Sequence, residues 1–223
     1  MVHGLPSNIS FGFIGARAIV LDIASDRYFL LSGKEAAAIA ELARGGVPPR
    51  DVIRRIEDRG MLSAGAGGPV APVSAPPIEE SALEGDGTVE PIGLMEVAMA
   101  RLRASAALRF SGIAVTVDRW RGLRDHSQLS RAAAATTELA RSSASAGLAR
   151  GFAASRPFVP ARRACVPDSL ALASCLWRRG ASADVFFGVR LDPFAAHCWV
   201  QAGSILLSDP LDIVSEFTPV FRL

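Results

Sequence analysis

The chain has 223 residues, of which 50% are hydrophobic, and its formal net charge is only +2. This length suits one large domain, or a small domain followed by a medium one, and either arrangement can bury a core. The near-neutral charge argues against nucleic acid as the main partner. The three cysteines include no C-x-x-C pair, which argues against a disulfide framework and favours a reducing compartment.

The N-terminus and the apolar runs indicate where the protein resides. Residues 1–12 lack a positively charged start followed by a long apolar run, so we predict no signal peptide. Arg, Asp or Glu interrupts every apolar stretch before it reaches the length of a membrane span. We therefore expect a soluble, cytoplasmic protein that does not enter a membrane.

A run of small and apolar residues divides the chain into two parts. Residues 64–77 read AGAGGPVAPVSAPP and carry neither charge nor helical periodicity, which is typical of a linker. We predict a front domain over residues 1–63, a linker over 64–78 and a rear domain over 79–223.

The front part combines short strands with short helices. Apolar runs bounded by turn residues predict strands over 8–14, 18–23 and 27–31. Ser32 and Glu35 have the spacing of a capping box, which predicts a helix reaching residue 44, and a second helix is predicted over 50–59. Strands followed by helices within about 60 residues fit a winged-helix-like α+β module.

A cysteine in the rear part stands at the predicted start of a helix. Alanine-rich helices are predicted over 92–108 and 129–148, and the segment RRACVPDSLALASCLWRRG follows them. Pro167, Asp168 and Ser169 suit a first helical turn, and Gly180 suits the helix end. Cys165 then lies at the N-terminal edge, where unpaired N–H groups and the helix dipole favour the nucleophilic thiolate.

The last part of the chain supplies a histidine and a carboxylate. Strands are predicted over 185–189, 196–201 and 204–207, the last of them ending near Asp209. Alternation places His197, Trp199 and Gln201 on one face and Cys198 on the other. Adjacent antiparallel strands can bring Asp209 close to His197, where a carboxylate would fix the imidazole tautomer and stabilise the imidazolium.

Each of these residues also has a simpler explanation. A lone cysteine is commonly a small core residue, a lone histidine on a strand is commonly structural, and an aspartate after a strand is commonly a turn residue. Cys175 falls in mid-helix and is expected in the core. A zinc site built from the cysteines and His197 lacks the usual ligand spacing, so we predict no metal site.

The motifs CVPDSLAL and GVRLDPFAAHCWVQ, the following strand that ends in an aspartate, and the closing FTPVF resemble the leader peptidase of lasso-peptide biosynthesis, the B protein. The resemblance runs from about residue 163 to the C-terminus. It implies a transglutaminase-like, papain-like cysteine peptidase fold with a Cys-His-Asp triad. Carried over, Cys165 is the nucleophile, His197 the general base and acid, and Asp209 the residue that orients His197.

The front segment DIASDRYFLLSGKEAAAIAEL resembles that family's peptide-recognition module, which is similar to the small chaperone of pyrroloquinoline-quinone biosynthesis. Such modules bind a leader peptide as an added strand at a sheet edge, beside a helix. The resemblance implies an edge at residues 27–31 and a flanking helix with Val52, Ile53 and Ile56. The implied substrate-binding residues are Arg27, Tyr28, Phe29, Leu30, Arg50 and Arg54. The alternative is that the strand side chains are core and the arginines a solvated face.

Together the resemblances imply an enzyme that binds the leader of a ribosomally made precursor and cleaves it from the core peptide. The core would pass to a separate ATP-using lasso cyclase, which is asparagine-synthetase-like. Hydrolysis by this route needs neither a metal nor an organic cofactor. Two alternatives stay open: acyl transfer to an amine through the same triad, and a non-catalytic binding protein with a DNA-binding front, against which the near-neutral charge counts.

Overall fold

The computed structural model of the protein describes residues 3–65, 67–131 and 138–223, without the side chains of residues 129–142. The chain divides into two compact units of mixed α and β structure. The first unit comprises Met1–Ala75 together with Gly188–Phe194 and Thr218–Phe221, and the remaining residues form the second. None of the helices in the described ranges combines the length and the apolar character needed to cross a bilayer.

The first unit is built on an antiparallel sheet of three strands. Its elements are β1 (His3–Gly4), β2 (Ile9–Ile14), β3 (Arg17–Asp22), β4 (Arg27–Leu31), α1 (Gly33–Ala43), α2 (Arg50–Asp58) and β5 (Ser63–Ala64). The order β2-β3-β4 makes β4 an edge strand, and β1 pairs with β5. The three predicted strands and two predicted helices of this part are confirmed.

The helices bury their apolar stripes on one face of this sheet. The apolar residues of α2 are 2%, 4% and 0% exposed and pack with Phe11, Val20 and Leu31: they are Val52, Ile53 and Ile56. These three side chains of the predicted flanking helix are therefore part of the core of this unit. An amphipathic helix buries its apolar side in the core, so only its polar side remains available to a partner.

The predicted capping box at the start of α1 does not form. Ser32 precedes the helix, but its side chain caps no backbone N–H group. Glu35 instead accepts a hydrogen bond from Arg59 at 2.9 Å. The Glu35 carboxylate therefore forms a tertiary ion pair with Arg59 instead of capping the start of α1.

Most of the segment predicted as a linker, up to Ala75, belongs to the first unit. The described residues of this segment contain no helix, and Gly68 forms an antiparallel β-bridge with Leu5. The Val73 N–H group donates to the Phe11 carbonyl at 2.8 Å. Val70 packs against the hydrophobic core of the same unit.

The second unit combines long helices with most of a second sheet. The elements of this part of the chain are β6 (Glu80–Ser81), α3 (Leu94–Arg131), α4 (Glu138–Ser155), a 3₁₀ turn (Arg156–Phe158), α5 (Cys165–Arg178), β7 (Asp184–Leu191), β8 (Phe194–Ala202), β9 (Ile205–Leu206), α6 (Leu211–Val214) and β10 (Thr218–Arg222). Their residues within Gly188–Phe194 and Thr218–Phe221 belong to the first unit. The sheet has the order β10-β7-β8-β9-β6. Strands β8 and β9 are antiparallel, whereas β6 runs parallel to β9.

Helix α5 forms the centre of this unit. Its residues from Ser169 to Trp177 are all buried, and α3 packs along it with a kink at Gly112, where φ is 73°. The indole of Trp120 in α3 donates a hydrogen bond to the Leu170 carbonyl at 2.9 Å. The predicted helix over 129–148 falls partly outside the described residues, and α4 begins at Glu138.

Candidate active site

The first residue of α5 is Cys165, as the motif predicted. The Asp168 N–H group donates to the Ala164 carbonyl at 3.1 Å, and the Ala164 N–H group donates to the Asp168 carboxylate at 3.1 Å. This reciprocal pair closes the first turn and fixes the residue before the cysteine. The thiol therefore lies where the helix dipole favours a negative charge.

Two buried arginines hold the carboxylate that closes this turn. Arg101 and Arg156 place their Nε atoms 2.6 and 2.8 Å from Oδ1 of Asp168, and their side chains are 7% and 6% exposed. Both guanidinium groups also donate to the carbonyl of Arg162. These contacts hold in place the backbone that leads into Cys165. Sequence reasoning missed it because Arg101 is 67 residues away from Asp168, and spacing gives no signal for such a contact.

Strand β8 is attached to the start of α5 by a hydrogen bond. Ser169 Oγ donates to the Cys198 carbonyl at 2.9 Å. The backbone N–H groups of Cys198 and Val166 also favour the charged form of the Cys165 thiol and lower its pKa. The strand that carries His197 is thereby held against the helix that carries Cys165.

The three predicted catalytic residues meet in one cavity. Nε2 of His197 lies 3.2 Å from Oδ1 of Asp209, and both side chains are mostly buried. The same imidazole acts on the Cys165 thiol and lowers its pKa. Because Nε2 is on the Asp209 side, Nδ1 is the nitrogen available to the thiol. All three residues line a cavity of about 290 Å³, together with Leu83, Phe152 and Leu172.

The electrostatics of this group favour a charged pair. The hydrogen bond from His197 lowers the pKa of Cys165 below its ordinary value, although partial burial acts in the opposite sense. Burial disfavours the charged imidazole, but the Asp209 carboxylate and the Cys165 thiol outweigh it and raise the pKa of His197 to about 9. The arrangement therefore supports a thiolate beside an imidazolium, which is the reactive form of a cysteine nucleophile.

The other two cysteines have pKa values that are raised, in contrast to the lowered pKa of Cys165. Burial, with a smaller contribution from Glu96, raises the pKa of Cys175 to about 11. Burial and the neighbouring Cys165 raise the pKa of Cys198 well above its ordinary value. Both are fully buried, so neither has the exposed thiolate that nucleophilic attack requires.

Aromatic packing holds the imidazole in place. The rings of His197 and Trp199 lie 6.5 Å apart and nearly parallel, and Phe217 is 5.4 Å away from His197. The Trp199 indole donates to Gln201 Oε1 at 3.3 Å. The side chains of His197, Trp199 and Gln201 thus lie on one face of β8, as the predicted alternation requires. In the described residues, 3–65, 67–131 and 138–223, no His, Cys, Asp and Glu side chains converge to hold a metal ion.

The residues predicted to bind a peptide fall into two groups. Arg27, Tyr28, Phe29 and Leu30 line one cavity beside the β4 edge, and the Tyr28 and Phe194 rings lie 5.9 Å apart within it. Arg27 and Leu30 are exposed, whereas the Phe29 side chain packs on the core and under the Arg27 guanidinium at 5.3 Å. Arg50 and Arg54 line a different cavity, with Leu42 and Val47.

The family model of the transglutaminase-like superfamily matches residues 103–222, which is more than half of the chain and includes Cys165, His197 and Asp209. The chain belongs to this superfamily. A domain of this class is usually enzymatic, and the match suggests the cysteine peptidase or acyltransferase type. Searches of curated proteins and of solved structures each found no match.

Proposed function

We propose that the protein is a cysteine peptidase in which Cys165 is the nucleophile, His197 the general base and acid, and Asp209 the residue that orients His197. The observation that carries this proposal is the meeting of the three side chains in one cavity at the start of α5, with Nε2 of His197 3.2 Å from Oδ1 of Asp209. The lowered pKa of Cys165 and the raised pKa of His197 support the same assignment.

The geometry suits a two-step hydrolysis. The Cys165 thiolate attacks the scissile carbonyl, and the imidazolium of His197 protonates the departing amine, which leaves a thioester on Cys165. His197, now neutral, takes a proton from water, and the resulting hydroxide attacks the thioester. The carboxylic acid product leaves as the thiolate–imidazolium pair is restored. Asp209 stabilises the imidazolium in the two stages in which His197 carries the proton.

The proposed substrate is the leader region of a ribosomally made precursor, cleaved from its core peptide during lasso-peptide maturation. The motifs around Cys165 and His197 support this choice. The front unit, proposed as the winged-helix-like recognition module, offers the β4 edge for an added strand, because β4 has a paired neighbour on only one side within its sheet. The released core peptide would be the substrate of a separate ATP-using cyclase.

Cleavage of a synthetic precursor peptide tests the proposal. Wild type and Cys175→Ala should release the leader, whereas Cys165→Ala should release none and still bind the precursor with unchanged affinity. Mass spectrometry identifies the products, and fluorescence anisotropy measures the binding. Equal cleavage by wild type and Cys165→Ala would remove Cys165 from the mechanism.

Acyl transfer is the second candidate, because the superfamily match covers both chemical classes and the thioester on Cys165 can react with an amine as well as with water. Adding a small primary amine to the cleavage reaction separates the two. A hydrolase yields the free carboxylic acid, whereas an acyltransferase yields the amide, and the two products differ in mass.

A further inference from the structure

Two serine hydroxyl groups hold Asp209 from different sides. Ser208 Oγ donates to Oδ2 of Asp209 at 2.5 Å and accepts the Val200 N–H group of β8 at 2.9 Å. The other carboxylate oxygen, Oδ1, is the one that lies 3.2 Å from His197 Nε2. Each oxygen of the carboxylate is therefore engaged by a different partner.

The second hydroxyl acts on the backbone of the same residue. Ser81 Oγ donates to the Asp209 carbonyl at 2.7 Å and accepts the Leu83 N–H group at 3.1 Å. Ser81 is only 4% exposed and lies in β6, where it pairs with Leu206 of β9 in parallel register. It also precedes the segment matched by the superfamily, which starts at residue 103.

The hydroxyl groups of Ser208 and Ser81 each donate their one hydrogen to Asp209. A serine hydroxyl carries a single donor hydrogen, and in both serines the oxygen already accepts a backbone N–H group. The hydrogen is therefore directed at Asp209. With Oδ2 held by Ser208 and the carbonyl held by Ser81, the carboxylate cannot turn without losing a hydrogen bond to a charged group, which is stronger than a neutral one.

We propose that Ser208 and Ser81 are positioning residues of the Cys165 site, which act through Asp209 by fixing the carboxylate that stabilises the His197 imidazolium. The inference rests on the proposed function of Cys165, His197 and Asp209. Its test is a thiol alkylation that needs no peptide substrate, so a failure of peptide cleavage and a failure of this inference give different results.

The experiment measures the rate at which iodoacetamide modifies Cys165 in the full chain as a function of pH, with peptide mapping to identify the labelled cysteine. Ser208→Ala should react roughly tenfold more slowly at pH 7 than wild type, because a loosened carboxylate stabilises the imidazolium less and the thiolate loses its partner. The midpoint of the pH profile should move upward, and Ser81→Ala should move it in the same direction.

Two variants separate positioning from a loss of packing. Ser208→Thr keeps the hydroxyl and should restore the wild-type profile. Ser174→Ala removes a buried hydroxyl that donates to the Ala171 carbonyl at 2.8 Å within α5, so it should leave the midpoint unchanged. Circular dichroism and thermal melting check the folding of each variant, and Ser81→Ala carries the test if Ser208→Ala does not fold.

A double-mutant cycle decides whether the serines act through Asp209. In an Asp209→Ala background, Ser208→Ala should cause no further change in rate or midpoint, because the group through which it acts is absent. An unchanged pH midpoint in both folded single variants would overturn the proposal. So would an effect of Ser208→Ala that persists undiminished without Asp209.

Discussion

At the residue scale, the chemistry depends on how Cys165 and His197 share a proton. The pKa of Cys165 is below its ordinary value and the pKa of His197 is raised to about 9. Between these two values the thiolate and the imidazolium coexist. Below this window the thiol is protonated, and above it the imidazole is neutral and cannot protonate the leaving amine.

The first prediction concerns the pH dependence of peptide cleavage. The cleavage rate should rise as Cys165 ionises, reach a plateau, and fall roughly tenfold per pH unit above about pH 9, as the imidazolium of His197 loses its proton. Stopped assays across pH 5–11 measure it. Alkylation of Cys165 is the internal control, because it needs only the thiolate and should stay fast at high pH. A cleavage rate that still climbs beyond pH 10 would contradict the assigned role of His197.

At the element scale, local signals predicted the strands and helices better than they predicted the contacts. Pro167 and Gly180 mark the ends of α5 because their backbone properties act within one turn. Strand alternation correctly predicted that the side chains of His197, Trp199 and Gln201 lie on one face of β8. The arginines that pair with Asp168, and Ser81, which donates to the Asp209 carbonyl, could not be predicted, because they are distant in sequence and their guanidinium and hydroxyl groups are equally suited to solvent.

The second prediction tests the buried charge cluster at the start of α5. Asp168→Ala leaves Arg101 and Arg156 buried without their carboxylate, so the free energy of unfolding should fall by about 3 kcal/mol. Asp118→Ala is the matched control, since Asp118 is 73% exposed in its pair with Arg121, and exposed pairs contribute little. Urea denaturation measures both variants. Equal stability losses in the two would mean that burial adds nothing at Asp168.

At the scale of the whole molecule, segments that are distant along the chain belong to the same compact unit. Residues of β7, β8 and β10 cluster with the first 75 residues in one unit. Linear signals such as the small-residue run over 64–77 give boundaries along the chain, whereas the two units divide the residues of β7, β8 and β10 between them. Gly12 in β2 illustrates this, because a Cβ atom there would lie 2.3 Å from the Pro219 carbonyl oxygen.

The third prediction follows from that close approach. Gly12→Ala should lower the free energy of unfolding by roughly 1–3 kcal/mol, because the clash is with a backbone atom and a strand must move to relieve it. Gly122→Ala is the control, since a Cβ atom meets nothing within 4 Å there. In helix α3 that change should stabilise by about 0.5–1 kcal/mol. Thermal melts of the two variants should therefore shift in opposite directions.

The fourth prediction distinguishes the two cavities of the first unit as the docking site of a leader peptide. Arg27 and Leu30 belong to the cavity beside the β4 edge, and Arg50 and Arg54 belong to the other. If the leader adds as a strand at β4, its side chains must contact the exposed side chains of that strand. The double change of Arg27 and Leu30 to glutamate should then weaken leader binding at least tenfold. The same change at Arg50 and Arg54 should weaken it no more than about twofold.

Both double variants are best made in Cys165→Ala, so that the precursor stays intact while fluorescence anisotropy measures its affinity. Lys34→Glu is the charge control, because Lys34 is exposed and lines neither cavity. Phe29 is left unchanged, since its ring packs against the core and its loss would confound binding with folding. A loss of affinity confined to the Arg50 and Arg54 variant would move the docking site to α2. An unchanged affinity in both folded double variants would place leader recognition outside these two cavities.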